Sequence, residues 1–423
     1  MSRYDDEQNR ILANLDNYYE QWVAARRELD GPYKGSMRWK HVKGHQYLYH
    51  RVSDSPLQEK SLGPRFKTAE GPSRDGGGAT DEGAHTDVEQ LLIDFQHGKA
   101  AATQRAHAAS REALRFAALA RALKLGSVPG TTAALLRHFD RLGMLGNTLL
   151  AVGTVAMSAY EVAAGRKLFS GFETTQDFDL TWQGWSAPLQ FHVGPDKKMP
   201  ARAPMGVLAA LKKFSPKYTK NLERSFQATN GSFEVEVLAA PSTLASYPEG
   251  DLTMLAGMIE QEWLLLGTPV RRIAVALDGT PAPIVAPDPR WMALHKLWLS
   301  QKPQRKAEKK PKDQAQGLLL MRGVLWHLAE HPIDTGFVQS LPAELQGFLH
   351  TAVDWVLDHP FASDAQAPDT GSEEGIADPF LASTRGLPRF LDDAALDLVQ
   401  ALPKARLDFP TGQYPDLKHH AGQ

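Results

Sequence analysis

The sequence predicts an α+β fold: a mixed sheet with flanking helices, a small N-terminal β-hairpin region and a helical C-terminal part. Three observations predict it. The segment NTLLAVG, residues 147–153, runs apolar into a glycine, and helical spacing resumes directly after it over Thr154–Ala164. Two short segments, DFDLTW at 177–182 and SFEVEVLAA at 232–240, alternate in the manner of strands. Beyond Lys302 the chain reads as helices, broken by an acidic segment with Gly and Pro from Ser363 to Pro379.

Taken in order, Ile11, Leu12, Leu15, Tyr18, Tyr19, Trp22 and Val23 recur at helical spacing, and Gly31-Pro32 ends that helix. MRWKHVKGHQYLYHRV, 37–52, carries a Lys43-Gly44 turn signal between two aromatic runs. A third strand is expected over 60–63. From 68 to 86 the chain is rich in Gly and charge and nearly lacks large apolar residues, which predicts a mobile linker. A helix follows over Val88–Lys124, broken by Gly126–Gly130, and a further helix over Thr131–Leu142 leads into the 147–153 strand. Val270–Val285 reads as a hairpin turning at Asp278-Gly279, and Asp288-Pro289 as the N-cap and first residue of a helix. The domain plan is therefore an N-terminal helix and hairpin region over 1–67, a linker over 68–86, a core with its preceding helices over 87–300, and a helical region over 301–423.

The 423 residues, 42% hydrophobic and 23% charged, suit a globular chain with a sizeable core. A formal net charge of −2 gives no global drive towards nucleic acid. Cysteine is absent, which excludes disulfides, thiolate metal ligands and cysteine nucleophiles. The N-terminus mixes acids, amides and aromatics where an export signal needs a basic start and an apolar run. The uncharged stretch from Met144 to Tyr160 contains Gly146, Asn147 and Gly153 and is too short for a comfortable membrane span. A cytoplasmic location without membrane contact is the expectation.

Chemistry enters at TTQDFDLTW. On a strand Asp177 and Asp179 project from one face, and like charges that close raise one another's pKa unless a cation lies between them. A divalent cation, Mg²⁺ or Mn²⁺, answers that need. Upstream, Gly153-Thr154 opens a helix whose first N–H groups favour phosphate, and glycine permits close approach. Glu234 and Glu236 share one face of a later strand. Glu236, flanked by Val235 and Val237, is taken as the third acid, against the plainer alternative of an exposed strand face.

These segments resemble the nucleotidyltransferase fold of the DNA polymerase beta superfamily, through Val152–Thr154, the DFD at Asp177–Asp179 and the later carboxylate strand. The chain looks closest to an uncharacterised bacterial family of stand-alone nucleotidyltransferase-fold proteins. That likeness rests on GTVAMSAYEVAAG, TTQDFDLTW, APDPRWMALHKLWLS and KDQAQ, together with RWKHVKGHQYLYH and KSLGPR. The resemblance implies a nucleotidyltransferase-like sheet and transfer of a nucleoside monophosphate from an NTP to an acceptor hydroxyl on RNA, protein or a small molecule. It assigns Asp177, Asp179 and Glu236 as catalytic and metal-binding, and Gly153 and Thr154 as phosphate-binding. Lys296, Arg305 and Lys309 are then expected to face the triphosphate, the last two one helical turn apart on a helix that Pro311 limits. Two departures from the superfamily pattern stand out: 22 residues separate Thr154 from Asp177, a long interval, and the third acid is Glu where Asp is usual.

The hairpin interleaves Arg38, Lys40, Lys43 and Arg51 with Trp39, Tyr47 and Tyr49, as single-strand binders do, although alternating aromatics also build cores. Nucleic-acid contact there is one expectation. The rival to the enzyme is a non-catalytic interaction module of the same fold that binds nucleotide or nucleic acid. The fifteen histidines form no helical HExxH pair, and none is read as a metal ligand.

Overall fold

The computed structural model describes residues 3–52, 59–65, 86–125, 128–169, 177–184, 205–254, 258–359 and 388–407. They fall into two compact units, one of residues 14–115 and one of residues 1–13 and 116–423. The boundaries lie inside two long helices, α1 (Asp6–Asp30) and α2 (Thr86–Ala122).

In the smaller unit β1 (Ser36–Val42), β2 (His45–Arg51) and β3 (Glu59–Pro64) form an antiparallel sheet in that order. Val42 pairs with His45, so the turn has two central residues, Lys43 and Gly44, both at positive φ. That backbone matches the twist of the flanking strands. Phe95 of α2 meets the rings of Tyr33 and His50 edge-on. The hairpin and third strand thus form as the sequence predicts. The expected linker lies outside the described residues, apart from Thr86, whose backbone opens α2.

The larger unit begins with α3 (Gly130–Arg141), β4 (Leu149–Ala151), α4 (Gly153–Ala164) and β5 (Asp177–Trp182). Next come α5 (Val207–Phe214), β6 (Thr219–Lys220), β7 (Gln227–Thr229), β8 (Glu234–Ala239) and α6 (Pro241–Leu244). A 3₁₀ helix, Ile259–Leu265, precedes the hairpin of β9 (Val270–Val275) and β10 (Pro281–Ala286). Then follow α7 (Pro289–Gln301), α8 (Lys310–His327), α9 (Thr335–Ser340), α10 (Ala343–Asp358) and α11 (Asp393–Ala401).

The sheet is mixed, in the order β4-β5-β8-β7-β6, and only β5 and β8 run parallel. Its alternation explains its burial. Phe178, Leu180, Val235 and Val237 are fully buried, whereas Asp179, Glu234 and Glu236, on the other face, are half-buried. Helix α8 is buried on nearly every side, with Leu318, Leu319, Leu320 and Met321 almost wholly inaccessible. Each such side chain contributes roughly 1.5–3 kcal/mol of burial. Gly317 lets α7 and α8 close up, since a Cβ there would lie 2.7 Å from Leu297 Cγ.

One local expectation is corrected. Residues 302–309 form turns and not a helix, so Arg305 and Lys309 sit on the connection between α7 and α8. Pro311 lies in the first turn of α8 and opens that helix where it was expected to limit one. Its fixed φ and missing N–H are tolerated there because first-turn N–H groups have no intrahelical partner. The segment 363–379 lies outside the described residues.

Candidate functional site

The parallel pairing of β5 with β8 sets the register on which the site depends. Asp177 stands opposite Glu234 and Asp179 opposite Glu236. All four residues therefore belong to one face of two neighbouring strands. The side chain of Asp177 lies outside the described ones, while those of Asp179, Glu234 and Glu236 line one cavity of about 310 Å³. Glu236 Oε2 accepts from Gln227 Nε2 on β7 at 2.9 Å, which steadies the carboxylate.

Above Asp179 lies the start of α4. Gly153 has φ +68°, and a Cβ there would lie 2.5 Å from Asp179 Oδ2. Glycine is thus required twice, by the backbone conformation and by the carboxylate pressed against it. The Val152 N–H donates to the Asp179 carbonyl at 3.0 Å, tying the helix start to the strand. The N-cap residue, Val152, offers no side-chain acceptor to the first turn. Thr154 follows Gly153 in that turn and is half-buried.

Positive charge reaches the same cavity from α7 and the connection after it. Lys296, Arg305 and Lys309, the three cations selected from sequence, all line it, joined by Arg224 and Lys306. Their arrangement rests on Asp313 in the first turns of α8. Lys296 Nζ donates to Asp313 Oδ1 at 2.8 Å and Arg305 Nε to Oδ2 at 2.7 Å. Burial pushes the Asp313 carboxyl up, but Lys296 and Arg305 outweigh it and hold the pKa below the usual aspartate value. Lys296 and Asp313 are buried and Arg305 is partly exposed, and the trio carries one net positive charge. Lys312, one residue earlier, has its pKa lowered by burial and by Lys296, while Asp313 and then Asp179 act in the opposite direction. The field of the Asp179 carboxylate therefore reaches a lysine in the first turn of α8.

Two further polar residues line the cavity, His295 on α7 and Gln261 on the 3₁₀ helix. Sequence reasoning passed over both, as it did Asp313, Lys312, Arg224 and Lys306. KDQAQ was noticed as a motif, yet nothing local says that its aspartate turns back 17 residues to a lysine on the preceding helix.

Among the described residues no group of three or more His, Asp or Glu side chains converges as a ready metal cage. The donor set still fits magnesium, which is held by one or two carboxylates together with substrate phosphates. Asp179 and Glu236 are hard oxygen donors on adjacent strands and meet that description.

In the smaller unit the hairpin cations are engaged locally. Arg38 and Lys40 both pair with Glu59 on β3, Lys40 lies over the Tyr49 ring, and Arg65 lies 5.3 Å from the Trp39 ring centre. No helix among the described residues is long and apolar enough to cross a membrane.

No curated protein and no solved structure matches the chain. Residues 130–337, which contain every side chain named above as lining the cavity, match the family model described as Nucleotidyltransferase, and this segment is similar to that family.

Proposed function

We propose that the chain is a Mg²⁺- or Mn²⁺-dependent nucleotidyltransferase of the DNA polymerase beta type, moving a nucleoside monophosphate from an NTP to an acceptor hydroxyl. The carrying observation is that one cavity collects carboxylates from β5 and β8, the uncapped start of α4, and Lys and Arg side chains from α7 and the α7–α8 connection. Those are the partners that a metal-bound triphosphate requires.

In this reading Asp177, Asp179 and Glu236 would hold the metal, which when bound neutralises phosphate charge and polarises the reacting oxygens. The first turn of α4, Gly153 and Thr154, seats phosphate oxygens. Lys296, Arg305 and Lys309 hold the β- and γ-phosphates and stabilise charge as it develops on the leaving pyrophosphate. The acceptor oxygen attacks the α-phosphorus in line, the bond to the pyrophosphate oxygen breaks, and a carboxylate of the set takes the acceptor's proton. The acceptor lies on RNA, protein or a small molecule. The rival, a non-catalytic module of the same fold, is less well supported because Glu236 turns into the cavity beside Asp179. The reading places the enzyme in the cytoplasm. It also leaves the N-terminal hairpin as a nucleic-acid contact through the exposed Lys43.

The test incubates the protein with each α-labelled NTP, magnesium or manganese, and a total cell extract. Label entering RNA, protein or a small molecule identifies the acceptor class. Asp179→Asn is expected to keep its fold and to lower transfer by at least about 100-fold, the scale of losing a major electrostatic partner of the transition state. Equal labelling by the variant would remove the aspartate from the mechanism. Absence of labelling with every nucleotide, alongside intact binding, would favour the module.

A further inference from the structure

The inference rests on the nucleotide reading and concerns the part of the same cavity that metal and phosphates leave unexplained. His295 is 6% exposed and Gln261 is 2% exposed, and both line the cavity. Among the described residues, neither ring nitrogen of His295 nor Oε1 of Gln261 has a hydrogen-bond partner. A buried donor or acceptor left unpaired costs about 1–3 kcal/mol. Unpaired buried atoms on two residues that line one cavity therefore point to polar atoms of a ligand bound there.

The chemistry of the surroundings says which part of the ligand. Burial, reinforced by Lys296, lowers the pKa of His295 to about 3, with Asp313 acting in the opposite direction and Arg305 adding to the depression. The imidazole is thus neutral and presents one N–H and one lone pair. Gln261 adds a carbonyl oxygen. Around them Met258, Leu264, Met292 and Leu299 supply an apolar wall. A fully ionised phosphate brings no donor for Gln261 Oε1 and gains nothing from thioethers and leucines. A flat heterocycle with N–H and lone-pair sites along its edge satisfies both, its faces against the apolar side chains and its edge against the amide and imidazole.

We propose that His295 and Gln261 form the nucleobase subsite and determine which NTP the cavity accepts. Gln261 Oε1 accepts from a base N–H, and His295 supplies the second hydrogen bond, as donor or acceptor according to the base. A site built to hydrogen-bond its ligand rejects analogues that leave its buried groups unpaired. Base choice is therefore located on α7 and the 3₁₀ helix, away from the carboxylate strands.

Calorimetric titration of the full chain with ATP, CTP, GTP, UTP and inorganic tripolyphosphate, each with magnesium, tests this. One nucleotide is expected to bind at least about 10-fold tighter than the least favoured nucleotide and than tripolyphosphate. In Gln261→Leu and His295→Asn that preference is expected to collapse, with tripolyphosphate affinity unchanged as the control for an intact phosphate seat. If His295→Asn fails to fold by circular dichroism, Gln261→Leu carries the test. Equal affinity of all five ligands for the unaltered protein would overturn the base subsite and leave the transferase reading standing. A preference that survives in the folded variants would overturn it as well. Failure of all five to bind would overturn both readings.

Discussion

Gly153 shows how much a single position carries. Its φ of +68° costs an L side chain roughly 1–2 kcal/mol, and the Cβ of an alanine would collide with Asp179 Oδ2. The clash lies with a side chain that can rotate away. Gly153→Ala is therefore expected to fold, with a melting point lowered by a few degrees, and to displace the carboxylate from the start of α4. Melting curves with and without magnesium and an equal mixture of the four NTPs read this out, because a ligand that binds only the folded state raises the melting point. The unaltered protein should gain stability and the alanine variant little. An unchanged ligand-induced shift would mean that the contact between Gly153 and Asp179 does not shape the site. Thr154→Ala, beside it, keeps helical backbone and provides the comparison.

At the scale of elements, the connection between α7 and α8 is held by Asp313 more than by its own backbone. Lys296 from α7 and Arg305 from the turns converge on that carboxylate, which is 2% exposed. Removing one partner of a buried ion pair leaves the others charged and unpaired, a loss of about 3–5 kcal/mol. The lower end applies here because Arg305 retains some contact with water. Asp313→Asn is thus expected to cost about 3 kcal/mol in urea titration, and a loss below about 1 kcal/mol would show that water already screens the trio. The contrast with Asp288-Pro289 shows what sequence could and could not disclose. That cap is local: Asp288 Oδ1 accepts from Arg290 N at 2.9 Å, and the dipeptide alone predicts it. The hairpin turns at Lys43-Gly44 and Asp278-Gly279 were legible for the same reason, as was the pairing of acids on alternate strand positions. Asp313 was not legible, because its partners come from another helix and a turn. The orphaned atoms of His295 and Gln261 were invisible too, since burial without a partner is a property of packing.

For the whole molecule, the buried ionisable groups fix how stability responds to pH, and two windows separate. His295, faced by Lys296, Arg305 and Asp313, keeps a pKa of about 3 in the folded chain, whereas an unfolded histidine titrates near pH 6.5. Between those values the unfolded state binds a proton that the folded state refuses, so stability falls as pH falls, at about 1.4 kcal/mol per unit. His138, its pKa lowered mainly by burial, adds to the same window. The second window lies lower. Burial raises the pKa of Asp288, but His331 and Arg290 more than reverse this, and Asp313 is likewise held down, so both carboxylates stabilise the fold fully above about pH 4. That contribution disappears only as pH drops further through their depressed values. Tryptophan fluorescence can follow the larger unit selectively, since of nine tryptophans only Trp22 and Trp39 belong to residues 14–115. Urea midpoints are expected to decline from pH 7 to pH 4.5, and His295→Asn to decline less steeply, keeping the part due to His138. A variant as steep as the unaltered protein would place the acid sensitivity elsewhere and show that the His295 imidazole binds its proton alike in the folded and the unfolded chain.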